Sequence, residues 1–215
     1  MELNLSEQPL FPTLVYNGNW AQFIDVTKEV ALESLEKTKA DIPLNDIYPV
    51  YMSQNISGDP RLATLVQSIS QHAWNILHHQ GYAMKDKSTF AYDFWLQEHY
   101  KHSLMEQHVH GLGAQIVGFY FLETPEKCSN LVFHDPRPAK VQINLPDEDI
   151  TSLTNASSLV NFSPKPGDIF FTNSWLPHSF GRHGSDEPIR FIHFNVYVER
   201  TTINTTSCPS NAEIV

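Results

Sequence analysis

The stretch that most constrains the fold is PKPGDIFFTNSWLPHSF, residues 164–180. Its turn sequence KPGD is followed by the apolar run IFFT, and short aromatic runs bounded by turn residues are typical of β-strands. His178 follows a few residues later, in the short segment PHSFG. The stretch therefore predicts two short strands late in the chain, the second of which carries a histidine.

The same pattern begins at about Phe90 and continues to the end of the core. Further candidate strands are FAYDFWLQEHY (90–100), QIVGFYFL (115–122), NLVF (130–133), AKVQI (139–143) and IRFIHFNVYV (189–198). Several short strands with turn-rich connections indicate a β-sandwich or barrel.

Two helices are predicted upstream of these strands. Asn19 and Gln22 form a candidate capping pair for the first, which carries apolar residues at helical spacing. Asp59 and Pro60 suit the start of the second helix, and Gly81 suits its end. We expect one domain, with residues 1–88 as a helical support, 89–200 as the β core and 201–215 as a tail.

The composition of the chain argues against several classes of protein. The 215 residues carry a formal net charge of −10, which argues against a broad nucleic-acid footprint. The two cysteines, Cys128 and Cys208, cannot form a disulfide framework. No signal peptide or membrane-span pattern is present, so we expect a cytoplasmic protein without a membrane partner.

Three histidines stand out among the 11 in the chain. His108 and His110 lie two apart in EQHVHG, and on an extended backbone such residues point to the same side. His178 is a distant third candidate, and two imidazoles plus a third can share one metal ion. His134, His183 and His193 are ambiguous, and we expect structural or pocket-lining roles for them.

Arg190 is the fourth unusual residue, 12 positions after His178 and inside the apolar run 189–198. An unpaired guanidinium is costly to bury, so the residue either faces water at a strand edge or binds a carboxylate. Trp175 and Phe180 flank His178 and are candidates for an apolar wall that excludes water, although plain core packing explains them equally well.

These segments resemble the 2-oxoglutarate- and Fe(II)-dependent oxygenase superfamily, and more narrowly a group from marine bacteria and their phages. The resemblance runs from LFPT (10–13) through HVHG (108–111) and NLVFHDPRP (130–138) to the 164–180 stretch and the arginine strand. It implies a mainly β protein with N-terminal helices, built on a double-stranded β-helix (a cupin-like jelly roll). It also implies Fe(II) on His108, His110 and His178, with the far carboxylate of 2-oxoglutarate on Arg190.

Two positions depart from the superfamily pattern. His110 stands where a carboxylate is usual, and Asp135 is the alternative carboxylate ligand. Ile192 stands where a hydroxyl residue often assists the arginine, and Tyr120 or Asn195 could replace it.

The resemblance implies a dioxygenase that uses Fe(II), 2-oxoglutarate and O2 to hydroxylate a small molecule or peptide, and a homodimer is compatible with it. One rival is a cupin-like metalloenzyme with three histidines and no 2-oxoglutarate. The other is a non-catalytic jelly-roll binding module.

Overall fold

A computed structural model describes residues 5–143 and 145–201 of the chain. The first helix, α1, spans Ile24–Asp41. Asn19 does not cap it directly, because its side-chain oxygen accepts a hydrogen bond from the Ala21 amide in the 3-10 turn Ala21–Phe23 that precedes α1. Buried Val30, Ala31 and Leu35 give α1 its inward face.

The second helix, α2, spans Ala63–His79 and begins as the sequence predicts. The Asp59 carboxylate accepts a hydrogen bond from the Arg61 amide at 2.9 Å, and Pro60 opens the 3-10 turn that leads into the helix. Gly81 follows its end with φ +94°, a left-handed conformation that favours glycine.

The described residues form ten strands in two antiparallel sheets. The strands are β1 Val15–Asn19, β2 Val50–Met52, β3 Lys87–His99, β4 Met105–His108, β5 Ile116–Glu123, β6 Leu131–His134, β7 Leu159–Phe162, β8 Asp168–Asn173, β9 His178–Phe180 and β10 Ile189–Arg200. The major sheet has the order β1-β8-β5-β10-β3-β2, and the minor sheet has the order β4-β9-β6-β7. The chain passes repeatedly between the two sheets, which is the double-stranded β-helix predicted above.

Each major-sheet strand has two different faces, because side chains alternate along a strand. The outer face packs on the helices through residues such as Tyr120, Phe171 and Phe194. The inner face turns to the minor sheet and carries Phe119 and Phe191. On β10, therefore, Ile189, Phe191, His193 and Asn195 face inward, whereas Arg190, Ile192 and Phe194 face the helices.

Two sequence expectations need correction. The segment AKVQI, predicted as a strand, lies in the 3-10 helix Pro138–Gln142, because Pro138 favours the first turn of a helix and has no amide to donate in a sheet. The N-terminal part is not purely helical, since β1 and β2 add to the edges of the major sheet. The tail 202–215, which includes Cys208, lies outside the described residues.

Candidate metal centre

Three imidazoles meet where the end of β4 lies beside the start of β9. His108 ends β4, His110 lies two residues further on, and His178 begins β9, which pairs with β4 so that His108 lies opposite His178. One ring nitrogen from each residue lies within 4.8 Å of the other two. The Nε2 atoms of His110 and His178 are 3.2 Å apart, a separation that suits two ligands on one ion at bond lengths of about 2.1 Å.

Backbone carbonyls orient two of the rings. His108 Nδ1 lies 2.8 Å from the Glu106 carbonyl oxygen, and His178 Nδ1 lies 2.9 Å from that of Leu176. A proton on Nδ1 satisfies each carbonyl and leaves the Nε2 lone pair free for a metal, which is the usual support for a histidine ligand. The chain thus prepares the neutral tautomer that a metal needs.

Burial favours the neutral form of these rings. It lowers the pKa of His178 to about 3, and together with the neighbouring His108 it lowers the pKa of His110 to about 4. Burial also lowers the pKa of His99, deeper in the barrel, to about 3. At neutral pH these imidazoles are uncharged, as metal ligands must be.

We therefore expect acid to destabilise the metal-free protein. The folded-state pKa values of His99 and His178 lie below the unfolded value of about 6.5, so the unfolded chain binds more protons. The free energy of unfolding should be flat above neutrality and should fall below about pH 6.5, by up to about 1.4 kcal/mol per pH unit for each histidine. Urea unfolding between about pH 5.5 and pH 8 measures this slope.

A matched pair of variants assigns the acid effect. His99→Phe removes one buried ring and should reduce the slope, whereas His79→Gln changes an exposed residue at the end of α2 and should leave it unchanged. Equal slopes in both variants and in the parent protein would contradict the assignment.

Asp135 takes part in a turn rather than in the histidine cluster. Its carboxylate accepts hydrogen bonds from the Arg137 amide and guanidinium and forms an ion pair with Lys140 at 3.1 Å. The Arg137 guanidinium holds the pKa of this carboxyl well below its usual range. Within the described residues the metal-binding group contains three histidines and no carboxylate, which favours His110 over Asp135 as the third ligand.

Arg190 does not reach the three histidines. Its side chain lies on the helix-covered face of the major sheet, where it forms ion pairs with Glu98 of β3 and Glu123 of β5. The reason is strand alternation, because the neighbouring residues 189 and 191 point inward and 190 therefore points outward. The structure therefore pairs Arg190 with two carboxylates of the protein, and its role in co-substrate binding stays a prediction.

The Arg190 pairs belong to a longer charge network beneath α1. Lys39 of α1 lies 2.9 Å from Glu98, and Lys28 of α1 lies 2.5 Å from Glu123. Burial works to raise the pKa of Glu98, whose side chain is fully buried, but hydrogen bonds from Tyr100, Lys39 and Arg190 outweigh it and lower that pKa. The arginine thus binds carboxylates of the protein itself and joins the barrel to its helix.

Tyr120 and Asn195, the two residues predicted to assist Arg190, lie on opposite faces of the major sheet. The Tyr120 hydroxyl donates to the Trp20 carbonyl at 2.7 Å on the helix-covered face, away from the histidines. Asn195 faces the barrel interior, and its side-chain amide donates to Asp93 at 3.1 Å. Only Asn195 therefore shares the inner face with the metal centre.

Phe180 and Trp175, the two aromatic pocket candidates, differ in burial. Phe180 is 2% exposed and stacks on Phe191 at a ring-centroid distance of 4.5 Å, within the inner core. Trp175 is 47% exposed and packs in neither core cluster. The phenylalanine rings beside His178 are instead those of Phe119 and Phe133, at ring-centroid distances of 5.2 and 6.4 Å.

Two inward residues beside the cluster were not singled out as site residues. The His193 ring stacks on His110 at 4.8 Å, and the Trp95 ring lies 4.4 Å from His193, directly across the β3–β10 pairing. Because side chains alternate along a strand, His193 and Arg190 must lie on opposite faces of β10. The segment 189–198 is apolar on both faces, however, so the sequence does not show which face points inward.

A cleft of about 850 Å³ opens beside His108. Ile47, Tyr48 and Leu104 supply apolar surface, and Arg182 supplies a guanidinium for which no acidic partner is found in the described part of the chain. The cleft therefore offers a metal ligand, apolar walls and one cation together. No described helix is both long and apolar enough to cross a lipid bilayer.

Comparison with known proteins agrees with this geometry. A family model described as "Putative 2OG-Fe(II) oxygenase" matches residues 93–195, which contain all three histidines. No curated protein sequence matches the chain.

Solved structures share the fold at low sequence identity. A prolyl-4-hydroxylase from Pseudomonas putida matches with a TM-score of 0.58 and 10% identity over 86% of this chain and 92% of that one. AviO1 from Streptomyces viridochromogenes Tue57 matches with a TM-score of 0.58 and 16% identity over 86% and 90%. The viral collagen prolyl hydroxylase of Paramecium Bursaria Chlorella virus-1, solved with 2-oxoglutarate, matches with a TM-score of 0.56 and 9% identity over 85% and 94%. The family match lies over the barrel and its three histidines, so residues 93–195 match the 2-oxoglutarate- and Fe(II)-dependent oxygenases.

Proposed function

We propose that the protein hydroxylates a C–H bond of a small-molecule or peptide substrate, with Fe(II) held by His108, His110 and His178. The observation that carries the proposal is the set of three imidazole nitrogens within 4.8 Å at the mouth of a jelly roll of this family. When bound, Fe(II) would let 2-oxoglutarate and the substrate C–H bond each supply two of the four electrons that reduce O2, so that one oxygen atom enters the substrate and the other enters succinate as CO2 leaves. Three protein ligands leave metal positions open for this chemistry.

The protein's own residues supply a fixed and dry environment. Phe119 and Phe133 pack edge-on against His178, and the surrounding inner core is aromatic. Such walls exclude water and strengthen electrostatic interactions at the metal, which protects a reactive centre from side reactions.

We place the substrate in the cleft beside His108. Its apolar walls suit a hydrocarbon or peptide body, and Arg182 suits a carboxylate on that body. A net charge of −10 disfavours a nucleic-acid chain as the general substrate. The cytoplasmic location, the homodimer and the marine bacterial or phage origin stay predictions from the sequence.

A substitution at Arg182 tests the substrate site. Arg182→Gln should lower kcat/KM for an anionic substrate roughly 10- to 100-fold, because a hydrogen bond to a charged group contributes about 1.5–3 kcal/mol. Turnover is measured as succinate release in a screen of carboxylic acids and peptides. Lys101→Gln is the control, because Lys101 pairs with Asp186 on the surface at 2.5 Å. Equal losses in both variants would remove Arg182 from the substrate site.

An anaerobic optical titration tests the function itself. Fe(II) is added to the metal-free protein, followed by 2-oxoglutarate, and a weak visible charge-transfer band that needs both is the expected result. Succinate release on admission of O2 then confirms turnover of the co-substrate.

The same titration separates the two rivals. Fe(II) binding without the 2-oxoglutarate band would favour a cupin-like metalloenzyme that uses three histidines alone. Failure to bind Fe(II) at all would favour a non-catalytic jelly-roll module.

A further inference from the structure

The strand that carries the first of the three histidines has one unpaired edge. Among the described strands, β4 lies at the end of the minor sheet and pairs with β9 alone, with Met105 opposite Phe180 and His108 opposite His178. No backbone hydrogen bond joins Met105–His108 to any other described segment. Because a strand directs backbone N–H and C=O groups to both of its edges, β4 presents free donors and acceptors on its outer side.

The cleft beside His108 lies along that edge. Successive residues 104–108 line it, together with Ile47, Tyr48, His102 and Arg182. Successive side chains of a strand point to opposite faces, so a cavity over one face would contact alternate residues. Contact with every residue from 104 to 108 indicates that the cleft runs beside the strand, next to its unpaired backbone groups.

The cleft is too open to enclose a small molecule. Seven of its nine lining residues are exposed, and the other two, Met105 and His108, are half-buried. Small-molecule sites typically bury about 70–90% of the ligand surface. An open site must gain affinity over a longer contact, and an extended peptide provides one. Its main-chain hydrogen bonds to a strand edge supply affinity, and its alternate side chains supply specificity.

Arg182 lies at one end of this edge and the histidine cluster lies at the other. Just beyond β9, the His183 amide donates to the Ser103 carbonyl oxygen at 2.8 Å, so Arg182 lies beside the start of β4. His108 is the last residue of β4. At about 3.4 Å per residue, the two ends are roughly 15 Å apart, or about four to five residues of an extended chain.

The charges along the cleft define which end of a peptide is acidic. No acidic partner of Arg182 is found within the described part of the chain, and a guanidinium binds a carboxylate through two parallel hydrogen bonds. Glu106 lines the cleft closer to His108 and would repel a carboxylate there. An acidic group on the peptide therefore belongs beside Arg182 and away from the residue to be oxidised.

We propose that the substrate is a peptide that adds as an extended strand to the free edge of β4, with a carboxylate on Arg182 and the oxidised residue beside His108. The inference rests on the proposed function, since it requires oxidation at the three histidines. It narrows the substrate class to peptides with an acidic side chain or terminus about four to five residues from the oxidised position.

Pools of randomised peptides test the carboxylate and the spacing. Peptides of about ten residues, twice the estimated span, have blocked termini and a fixed glutamate near the amino end in one pool and near the carboxyl end in another. Matched pools carry glutamine instead. The Fe(II) protein is supplied with 2-oxoglutarate and O2, and tandem mass spectrometry locates the added oxygen atom.

We expect oxidation in one glutamate pool, about four to five residues from the glutamate. Its rate should exceed that of the matched glutamine pool roughly 10- to 100-fold, as expected for hydrogen bonds to a charged group. Arg182→Gln should remove the difference between the two pools, because it removes the partner of the carboxylate.

A scan of backbone N-methylation along the best peptide tests the edge pairing itself. Each methyl group removes one amide N–H, and alternate residues of a paired strand direct their amides to the partner. Every second position should therefore lower kcat/KM roughly tenfold, and the positions between should lower it less than about threefold. A peptide held only by its side chains would show no such alternation.

Two aspartate substitutions test the position of the peptide. Ile47 is 95% exposed and lines the cleft, whereas Ile150 is 89% exposed and does not, so neither substitution disturbs a packed core. Ile47→Asp should lower kcat/KM for the best peptide roughly tenfold, because it replaces an apolar wall by a charge. Ile150→Asp should leave kcat/KM unchanged.

The outcomes distinguish this inference from the function on which it rests. If the optical band of Fe(II) with 2-oxoglutarate forms but no pool contains an oxidised peptide, the peptide assignment is overturned and the co-substrate chemistry stands. Equal rates in the glutamate and glutamine pools, or an N-methyl scan without alternation, would also overturn it. If the Fe(II) protein forms neither the band nor succinate, the proposed function itself fails.

Discussion

We expect His178→Ala to abolish Fe(II) binding and, with it, succinate formation from 2-oxoglutarate. The His178 ring is fully buried and lies against the rings of His108, His110 and Phe119. Loss of one of three ligands should lower Fe(II) affinity by at least about 100-fold, because even loss of a group that only supports a ligand costs roughly 10- to 100-fold. Equilibrium dialysis against Fe(II) under argon measures the affinity.

A nearby histidine gives the matched control for this experiment. His134 lies on the adjacent strand β6, and its Nε2 bonds the Ser179 hydroxyl at 2.8 Å instead of joining the cluster. His134→Ala should retain Fe(II) binding and the 2-oxoglutarate-dependent band. If both variants bind Fe(II) like the parent protein, the metal does not lie at the three histidines.

The second large effect concerns the sheet that carries the site. Gly118 lies in the middle of β5, opposite Phe171 and Phe194, where a Cβ would approach the Phe194 ring to 2.1 Å and the Phe170 carbonyl oxygen to 2.4 Å. The ring can shift, but the carbonyl belongs to the neighbouring strand and cannot move without breaking the sheet. Gly118→Ala should therefore destabilise the protein by about 3 kcal/mol or more, at the upper end of overpacking effects.

Urea unfolding measures this loss against two further variants. Gly58→Ala has open space around the new methyl group and should change the free energy of unfolding by less than about 0.5 kcal/mol. Phe194→Leu combined with Gly118→Ala should recover part of the loss, because it removes the ring but not the carbonyl clash. Equal stability of the Gly118 and Gly58 variants would show that the strand tolerates a side chain.

The clustering of the three histidines was predictable from the sequence, because histidine is a common metal ligand and two of the three residues are close in sequence. His108 and His110 share one short segment, and His178 lies at the start of a strand that any jelly roll places beside it. The third ligand stays a prediction, and the structure favours His110 for it because Asp135 pairs with Arg137 and Lys140.

The direction of the Arg190 side chain could not be predicted from the sequence. A strand that is polar on one side reveals its buried face, but β10 is apolar on both sides because the helices cover one and the minor sheet covers the other. A difference of one residue then exchanges the two faces, and nothing within 189–198 determines which is inward. The partners Glu98 and Glu123 are distant in sequence and appear only after folding.

Three of the short strands were also missed by the sequence analysis. Strands β2, β4 and β7 have three or four residues each, too few to establish an alternating pattern. Their pairing depends on the longer strands beside them, so tertiary contacts and not local preference determine them.

The position of β10 has a consequence for how the protein is made. It is the last of the described strands, yet it lies in the centre of the major sheet, between β3 and β5. Until residues 189–200 leave the ribosome, β3 and β5 each expose an unpaired edge, and exposed edges of apolar strands promote aggregation. The nascent chain should thus depend on chaperones late in synthesis, and release of chains that stop before residue 189 should yield insoluble product.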